Sequence, residues 1–418
     1  MKVLLFTENE YITGGTTTFV KLLAANQSLF LNQGIEITFA TFLGNPASKE
    51  YPVNAEFLKL VKTGIYNDEK NRCFDKRNKC AHKIIKRIIR VSNKILWRVR
   101  IPWNSIKNKR EIRKYLLNNN FDCVIANSGG FCSNLGMYVL KESKNKGITN
   151  VFLCHSYPPL RIRNIREKMQ KRSFEAQVYN YVTHILTVSQ FCACQIRVFL
   201  EKETPVDVIY NGMGKKDTNL TKMQKVSFLT DNRMAGDAFI IGMIANFMPY
   251  KGILYFLETL KTLRLQGRNV IGIIIGNAYD RDYYEECQRY ICDNQMKNYV
   301  VVREGVTNAS DYVEAYDILC MPSVETESFG LVALEAASYS VPTVAFCTGG
   351  IPEVVENGKS GYIVPCRNVE AMANAIGRLM DDKQLYDNFC VGAYKRWKTH
   401  FSDQVMCENY VNYLKKLL

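Results

Sequence analysis

Short apolar runs alternate with segments whose hydrophobic residues recur every three or four positions, nearly throughout the 418-residue chain. In the first half the runs are KVLLFT, EITFATFL, DCVIAN, NVFLCHS, HILTVS and DVIYNG; in the second they are FIIGMIAN, NVIGIIIGN, YVVVREG, DILCMPS, PTVAFCTGG and GYIVP. Each is β-rich and almost continuously apolar, as a strand buried on both faces must be, and helical patterns separate them. The alternation predicts an α/β protein with doubly wound parallel sheets. The polar stretch KKDTNLTKMQK, followed by DNRMAGDA, interrupts it, so residues 214–236 mark a boundary. The expected units are 1–213, 214–392 and a helical tail over 393–418, with a cleft between the carboxyl ends of the two sets of strands. There is no internal repeat and no low-complexity segment.

Composition fits a folded globular chain: 47% of residues are apolar and 23% charged. No apolar run approaches the ~20 residues of a spanning helix. The opening KVLLFTENE is too short for a signal sequence, so the expectation is a cytoplasmic protein, able to sit peripherally on the inner membrane face. Of fourteen cysteines, Cys123, Cys154, Cys320 and Cys347 sit in apolar runs and read as buried reduced thiols. There is no CxxC pair, Cys192 and Cys194 are separated by one residue, and only four histidines exist, so no metal site is expected.

The net charge of +15 changes the picture once it is located. Residues 70–114 hold 17 Lys and Arg against two acids, Asp75 and Glu111, which accounts for the whole excess. Within HKIIKRIIRVSNKILWRVRIPW, one helical side would carry Ile84, Ile85, Ile88, Ser92, Ile95, Leu96 and Val99. Lys83, Lys86, Arg87, Arg90, Lys94 and Arg98 fill much of the rest, with Trp97 and Trp103 near the end. An amphipathic helix of this kind lies on an anionic bilayer, each nearby base contributing about 1 kcal/mol. Residues 80–114 are therefore the expected membrane-facing segment. The ordinary alternative is a helix docked on its own domain with a solvated basic face. No zinc-finger, RRM or KH signature accompanies the charge, so nucleic acid is not expected as a partner.

Candidate chemistry sits at the strand ends. Gly14 and Gly15, in FTENEYITGGTTTF, would let backbone amides approach a phosphate, although GxGxxG is absent and a tight turn explains the pair as well. His155 ends a strand in FLCHSYPP, where local satisfaction is the alternative. Lys251, beside Gly252 in IANFMPYKG, could neutralise a bound phosphate. In ESFGLVALEA, Glu327 precedes a helix and Glu335 lies inside it, with the backbone amides of Phe329 to Val332 at the helix start. An anion cradle with an acceptor at each end suits a diphosphate flanked by two hydroxyl-bearing sugars. The DRD at 280–282 superficially matches a metal-binding DxD, but its position between a strand and a helix reads better as a cap from Asp280.

Together with LTVSQF and VIYNGM, these segments resemble the retaining GT-B glycosyltransferases of family 4, with two Rossmann-like domains. The most specific match is the E-x7-E block at Glu327 and Glu335. The resemblance implies a nucleotide-sugar donor held mainly by the second domain, an acceptor held mainly by the first, and no obligatory metal or other cofactor. Carried over, Glu327 would contact the transferred sugar, Glu335 the ribose, and Lys251 the diphosphate. Gly15 would approach the diphosphate from the other domain, His155 would sit beside the sugar, and Ser328, Phe329, Gly330 and Leu331 would line the phosphate cradle. The tail would cross back to the first domain, anchored by Trp397, Phe401 and Tyr410. Three positions depart: Asn246 replaces a usual arginine, Ser340 a usual glycine, and Met213 a usual acid near the hinge. Combined with the basic segment, the implied activity is transfer of a hexose-type sugar to a lipid-linked saccharide in cell-surface polysaccharide assembly. The alternatives are a catalytically silent partner subunit, a sugar-nucleotide epimerase of the same fold, and a basic nucleic-acid-binding protein, which would leave the cleft residues unexplained.

Overall fold

The computed structural model describes residues 1–7, 15–42, 56–58, 108–128, 134–158, 164–202, 204–215, 220–230, 238–306, 308–325 and 327–417. β1 (Lys2–Thr7) leads to α1 (Gly15–Ala25), α2 (Gln27–Leu31), β2 (Glu36–Phe42) and β3 (Glu56–Leu58). After α3, helical over 108–118, come β4 (Cys123–Ser128), α4 (Asn134–Asn145), β5 (Thr149–Cys154), α5 (Ile165–Tyr181), β6 (His184–Thr187), α6 (Gln190–Phe199) and β7 (Val206–Val208). These strands form a parallel sheet in the order β3-β2-β1-β4-β5-β6-β7. The apolar runs predicted as strands all appear. β3 was not among them: it is three residues long, and its strand character comes from pairing with β2 rather than from its own pattern.

The second half repeats the plan. It runs α7 (Lys222–Thr230), β8 (Phe239–Ile244), α8 (Ile253–Leu265), β9 (Val270–Ile275), α9 (Arg281–Asp293), β10 (Val300–Arg303), β11 (Ile318–Met321), α10 (Leu331–Ser338), β12 (Thr343–Phe346), α11 (Ile351–Val354), β13 (Gly361–Val364) and α12 (Val369–Asp381). Its parallel sheet has the order β10-β9-β8-β11-β12-β13. In both sheets the winding reverses beside the first strand, between β1 and β4 and between β8 and β11. At such a reversal the loops leaving adjacent strands part to opposite faces, opening a crevice at the carboxyl ends.

The chain then runs through α13 (Lys383–Arg396), a π-helical turn at Trp397–Phe401, and α14 (Asp403–Leu417). The indole of Trp397 donates to the carbonyl of Met213 at 2.7 Å, and the Met213 amide donates to Phe401 O at 2.9 Å. Met213 therefore sits where the two strand systems and the tail meet. α14 buries Met406, Cys407, Tyr410, Val411 and Leu414 in one apolar cluster with Val3, Leu5, Phe19 and Phe39 of the first sheet and its helix.

Three sequence-based details are refined. Ser340 takes a left-handed backbone, φ 62°, which costs a non-glycine residue about 1–2 kcal/mol and accounts for a glycine preference there. Cys123, Cys154 and Cys320 are buried as expected, but Cys347 is exposed, because β12 ends at Phe346 and the thiol falls just past the strand's end. Of the basic segment, only 108–114 lies within the described residues; there α3 buries Ile112 and Leu116 against Leu4, Phe6 and Val124, so this part docks on its own sheet. The apolar positions from Ile84 to Val99 lie outside the described residues. Among the described residues, no helix is long and apolar enough to cross a membrane.

Candidate functional site

The loops after β8 and β11, on either side of the second sheet's reversal, carry Lys251 and Glu327. Lys251 ends a short 3-10 turn, Pro249–Lys251, and Gly252 follows with φ 74°. A Cβ at Gly252 would lie 1.9 Å from Pro322 O, so only glycine lets the two loops touch. That approach places the Lys251 ammonium against a carboxylate oxygen of Glu327, which also accepts a hydrogen bond from Ser323 Oγ at 3.0 Å. Behind Glu327 runs the Gly349-Gly350 turn, whose Gly350 amide donates to Glu327 O at 2.8 Å. Past it, α10 starts at Leu331 after Gly330 at φ 106°. The first amides of a helix have no acceptor within it, so this mouth presents positive potential beside Lys251.

The first sheet supplies His155, directly after β5. Its Nε2 lies 2.7 Å from Asn127 Oδ1, and its ring centroid is 5.1 Å from that of Phe19 in α1. Burial pushes its pKa down to about 3, so the ring is neutral near pH 7. His155 and Asn211 from one unit, with Lys251, Ser323, Glu327 and the stretch Ser328 to Val332 from the other, line a cavity of about 260 Å³. Positive charge and amides at one side, with acceptors around them, can hold a diphosphate and orient a polyhydroxylated group attached to it.

The cavity thus gathers Glu327, His155, Lys251, Ser328, Phe329, Gly330 and Leu331. It does not gather every predicted residue. Glu335 sits half-buried on the second turn of α10, roughly 6 Å along the axis from the helix mouth, and lines no part of this cavity. Asn246 is exposed and also absent from the lining: its Oδ1 accepts from the Asn277 amide at 3.2 Å, and Asn277 Oδ1 accepts from Gly305 N at 3.0 Å. A side chain so held ties the ends of β8, β9 and β10 together. Gly15 is the first residue of α1, and Gly14 lies outside the described residues. Asp280 caps α9, accepting from Tyr283 N at 3.2 Å. Among the described residues, no cluster of three or more His, Cys, Asp or Glu is placed to hold a metal.

Ser323 escaped the sequence reading, although its place at the end of DILCMPS was a usable signal. The contacts between the two units were harder to foresee. Ser189 Oγ caps α6 by accepting from Cys192 N at 3.0 Å and donates to Ser328 O at 2.6 Å. Glu353, in α11, accepts from the amides of Gln190 and Phe191, each at 2.7 Å. Tyr210 stacks on Phe329 with ring centroids 5.8 Å apart. The first ties the start of α6 to the loop that carries Glu327, the second ties it to α11, and the third packs the segment after β7 on that loop. Glu353→Ala should cost about 1–3 kcal/mol, the range for losing hydrogen bonds to a charged acceptor, read as a lowered denaturation midpoint. An unchanged midpoint would show that the carboxylate holds nothing.

A model of Glycosyltransferase Family 4 matches residues 13–214, and one of Glycosyl transferases group 1 matches 238–382. An uncharacterized glycosyltransferase of Methanocaldococcus jannaschii is 29% identical over 204 residues, 47% of this chain and 51% of that protein. The capsular polysaccharide biosynthesis glycosyltransferase CapM of Staphylococcus aureus is 24% identical over 265 residues, 60% of this chain and 68% of that protein. The chain thus spans about half of the first relative's length. Among solved structures, a glycosyltransferase of Rickettsia africae superimposes with a TM-score of 0.75 at 16% identity, covering 99% of this chain and 98% of that one. Anabaena HepE in complex with UDP gives 0.73 at 17% identity, with both chains covered completely. At these identities the structural likeness establishes the fold, two facing Rossmann-like sheets.

Proposed function

The chain belongs to glycosyltransferase family 4, with the GT-B fold, and from that premise we propose that it moves a hexose-type sugar from a nucleoside-diphosphate sugar to a saccharide acceptor with retention of anomeric configuration. One observation carries this reading: Lys251, Glu327 and the α10 mouth converge from loops at the reversal of one sheet, and His155 faces the same cavity from the other. HepE, the structural neighbour crystallised with UDP, supports a nucleotide-sugar donor.

Breaking the anomeric bond puts negative charge on the departing diphosphate and positive charge on the sugar ring. Lys251 and the amides of Phe329 to Leu331 would stabilise the former, a task that a divalent cation performs elsewhere. Glu327 would hold sugar hydroxyls, and neutral His155 would orient the ring. The acceptor would enter on the face the diphosphate leaves, with a phosphate oxygen taking its proton, so Glu327 need not act as a covalent nucleophile. Glu335 would reach the ribose beyond the described cavity. On donor binding, the diphosphate would replace Glu327 as the partner of Lys251.

A thermal-shift screen across UDP-, GDP- and ADP-sugars tests the donor: one of them should raise the melting temperature, since a ligand that binds only the folded form stabilises it. Product formation only when acceptor is present, undiminished by a chelator, separates transfer from epimerisation and from metal-dependent chemistry; no turnover of any donor supports the silent-partner alternative. The acceptor is proposed to be lipid-linked, in line with the basic segment 80–114 and with CapM's role in capsular polysaccharide biosynthesis. Co-sedimentation with anionic liposomes at low salt checks this, and no binding there removes the membrane argument.

A further inference from the structure

His155 is held by a file of buried polar side chains that neither the fold nor the transfer reaction explains by itself. Thr7 and Asn127 are direct cross-strand partners on β1 and β4, 0% and 2% exposed. Asn127 Nδ2 donates to Thr7 Oγ1 at 3.0 Å, and Thr7 O accepts from Thr41 Oγ1, on β2, at 2.8 Å. The file ends at His155, after β5, whose Nε2 meets Asn127 Oδ1 at 2.7 Å. It therefore crosses the carboxyl ends of four adjacent strands at the reversal of the first sheet. Apolar side chains would fill the same space without the desolvation cost of buried polar groups.

We propose that Asn127 is a positioning residue for His155: its carboxamide oxygen accepts a hydrogen bond from Nε2–H and holds the ring in the Nε2-protonated tautomer, leaving Nδ1 as an unprotonated acceptor on a residue that lines the cavity. The chemistry is directional. With its NH2 group turned to Thr7, Asn127 shows His155 an oxygen, and an oxygen can only accept. Nε2 must then carry the proton, since the hydrogen bond at one ring nitrogen sets the state of the other. Nδ1 is buried and, among the described residues, has no hydrogen-bond partner. An unpaired buried acceptor is costly until a donor arrives, and a hydroxyl of the bound sugar is the donor the proposed function supplies. This last step rests on the assignment of His155 to the sugar; the tautomer does not.

Imidazole ¹⁵N NMR on the histidine-labelled full chain separates the two, and with four histidines in the sequence the signals can be assigned by substitution. Wild-type His155 should show protonated Nε2 and bare Nδ1 at neutral pH. Asn127→Leu should abolish that preference and lower kcat by at least about tenfold, as a wrongly protonated histidine does, with little change in donor KM. Thr7→Val keeps the side-chain shape but removes the acceptor of the Asn127 amide, which is then free to turn; it should shift the tautomer in the same direction, with a melting curve confirming that the chain is folded. A wild-type Nδ1-protonated ring, or a tautomer unmoved by both substitutions, overturns the proposal. A shifted tautomer with unaltered kcat keeps the role of Asn127 and instead removes His155 from the reaction.

Discussion

Lys251→Ala and Glu327→Ala should each reduce sugar transfer about 100- to 1,000-fold while the protein stays folded, the loss expected when a preorganised charge is withdrawn from a transition state. On the proposed function the two would act on opposite ends of one charge separation. Without Lys251 the departing diphosphate would lose a cation, so slow donor hydrolysis should fall along with transfer. Without Glu327 the sugar would lose its positioning acceptor, and kcat should fall more than donor affinity. Both side chains are half-buried and paired with each other, with Ser323 as a further neighbour of the carboxylate, so each single substitution also leaves a charge without its counter-ion. That cost should appear as a small drop in melting temperature, not as unfolding. Near-normal turnover in either variant refutes the assignment of the site.

Gly349→Ala should be nearly as damaging without touching a functional group. The position has φ +55°, and a Cβ there would stand 2.0 Å from Glu327 O and 2.6 Å from Glu327 N. Those are backbone atoms and cannot rotate aside, so the loop bearing Glu327 must shift. Overpacking costs about 1–3 kcal/mol and the left-handed backbone about another 1–2 kcal/mol. Displacing the carboxylate by a fraction of an ångström adds a loss of turnover beyond the loss of stability. Gly358→Ala is the control: φ is +80° but no atom lies within 4 Å, so only the backbone strain remains. Equal effects of the two substitutions on turnover would show that the Gly349 turn does not set the position of Glu327.

The strands were legible because a parallel strand covered on both faces leaves an unbroken apolar run, and neither β4, with every residue buried, nor β9 could be disguised. Lys251 and Glu327 were legible for a different reason: both lie on the loop that follows such a run, with a glycine within three residues. Glu353 could not be found this way. Nothing in IPEV distinguishes a surface glutamate from one that accepts the first amides of α6 in the other unit, because the partner is more than a hundred residues away in sequence. Asn127 was hidden likewise, as one of two polar residues closing an apolar strand.

By itself the sequence determined the two-sheet α/β plan, the ends of its strands and the loops on which chemistry could occur, since these depend on local periodicity and on the backbone freedom of individual glycines. Only the tertiary structure decided that Lys251 meets Glu327, that Asn246 ties strand ends instead of lining the cavity, that Glu335 lies a turn away from it, and that His155 is held through Asn127 and Thr7. Those outcomes depend on which loops the winding reversal brings side by side. Contacts between residues far apart in the chain leave no periodic trace in it.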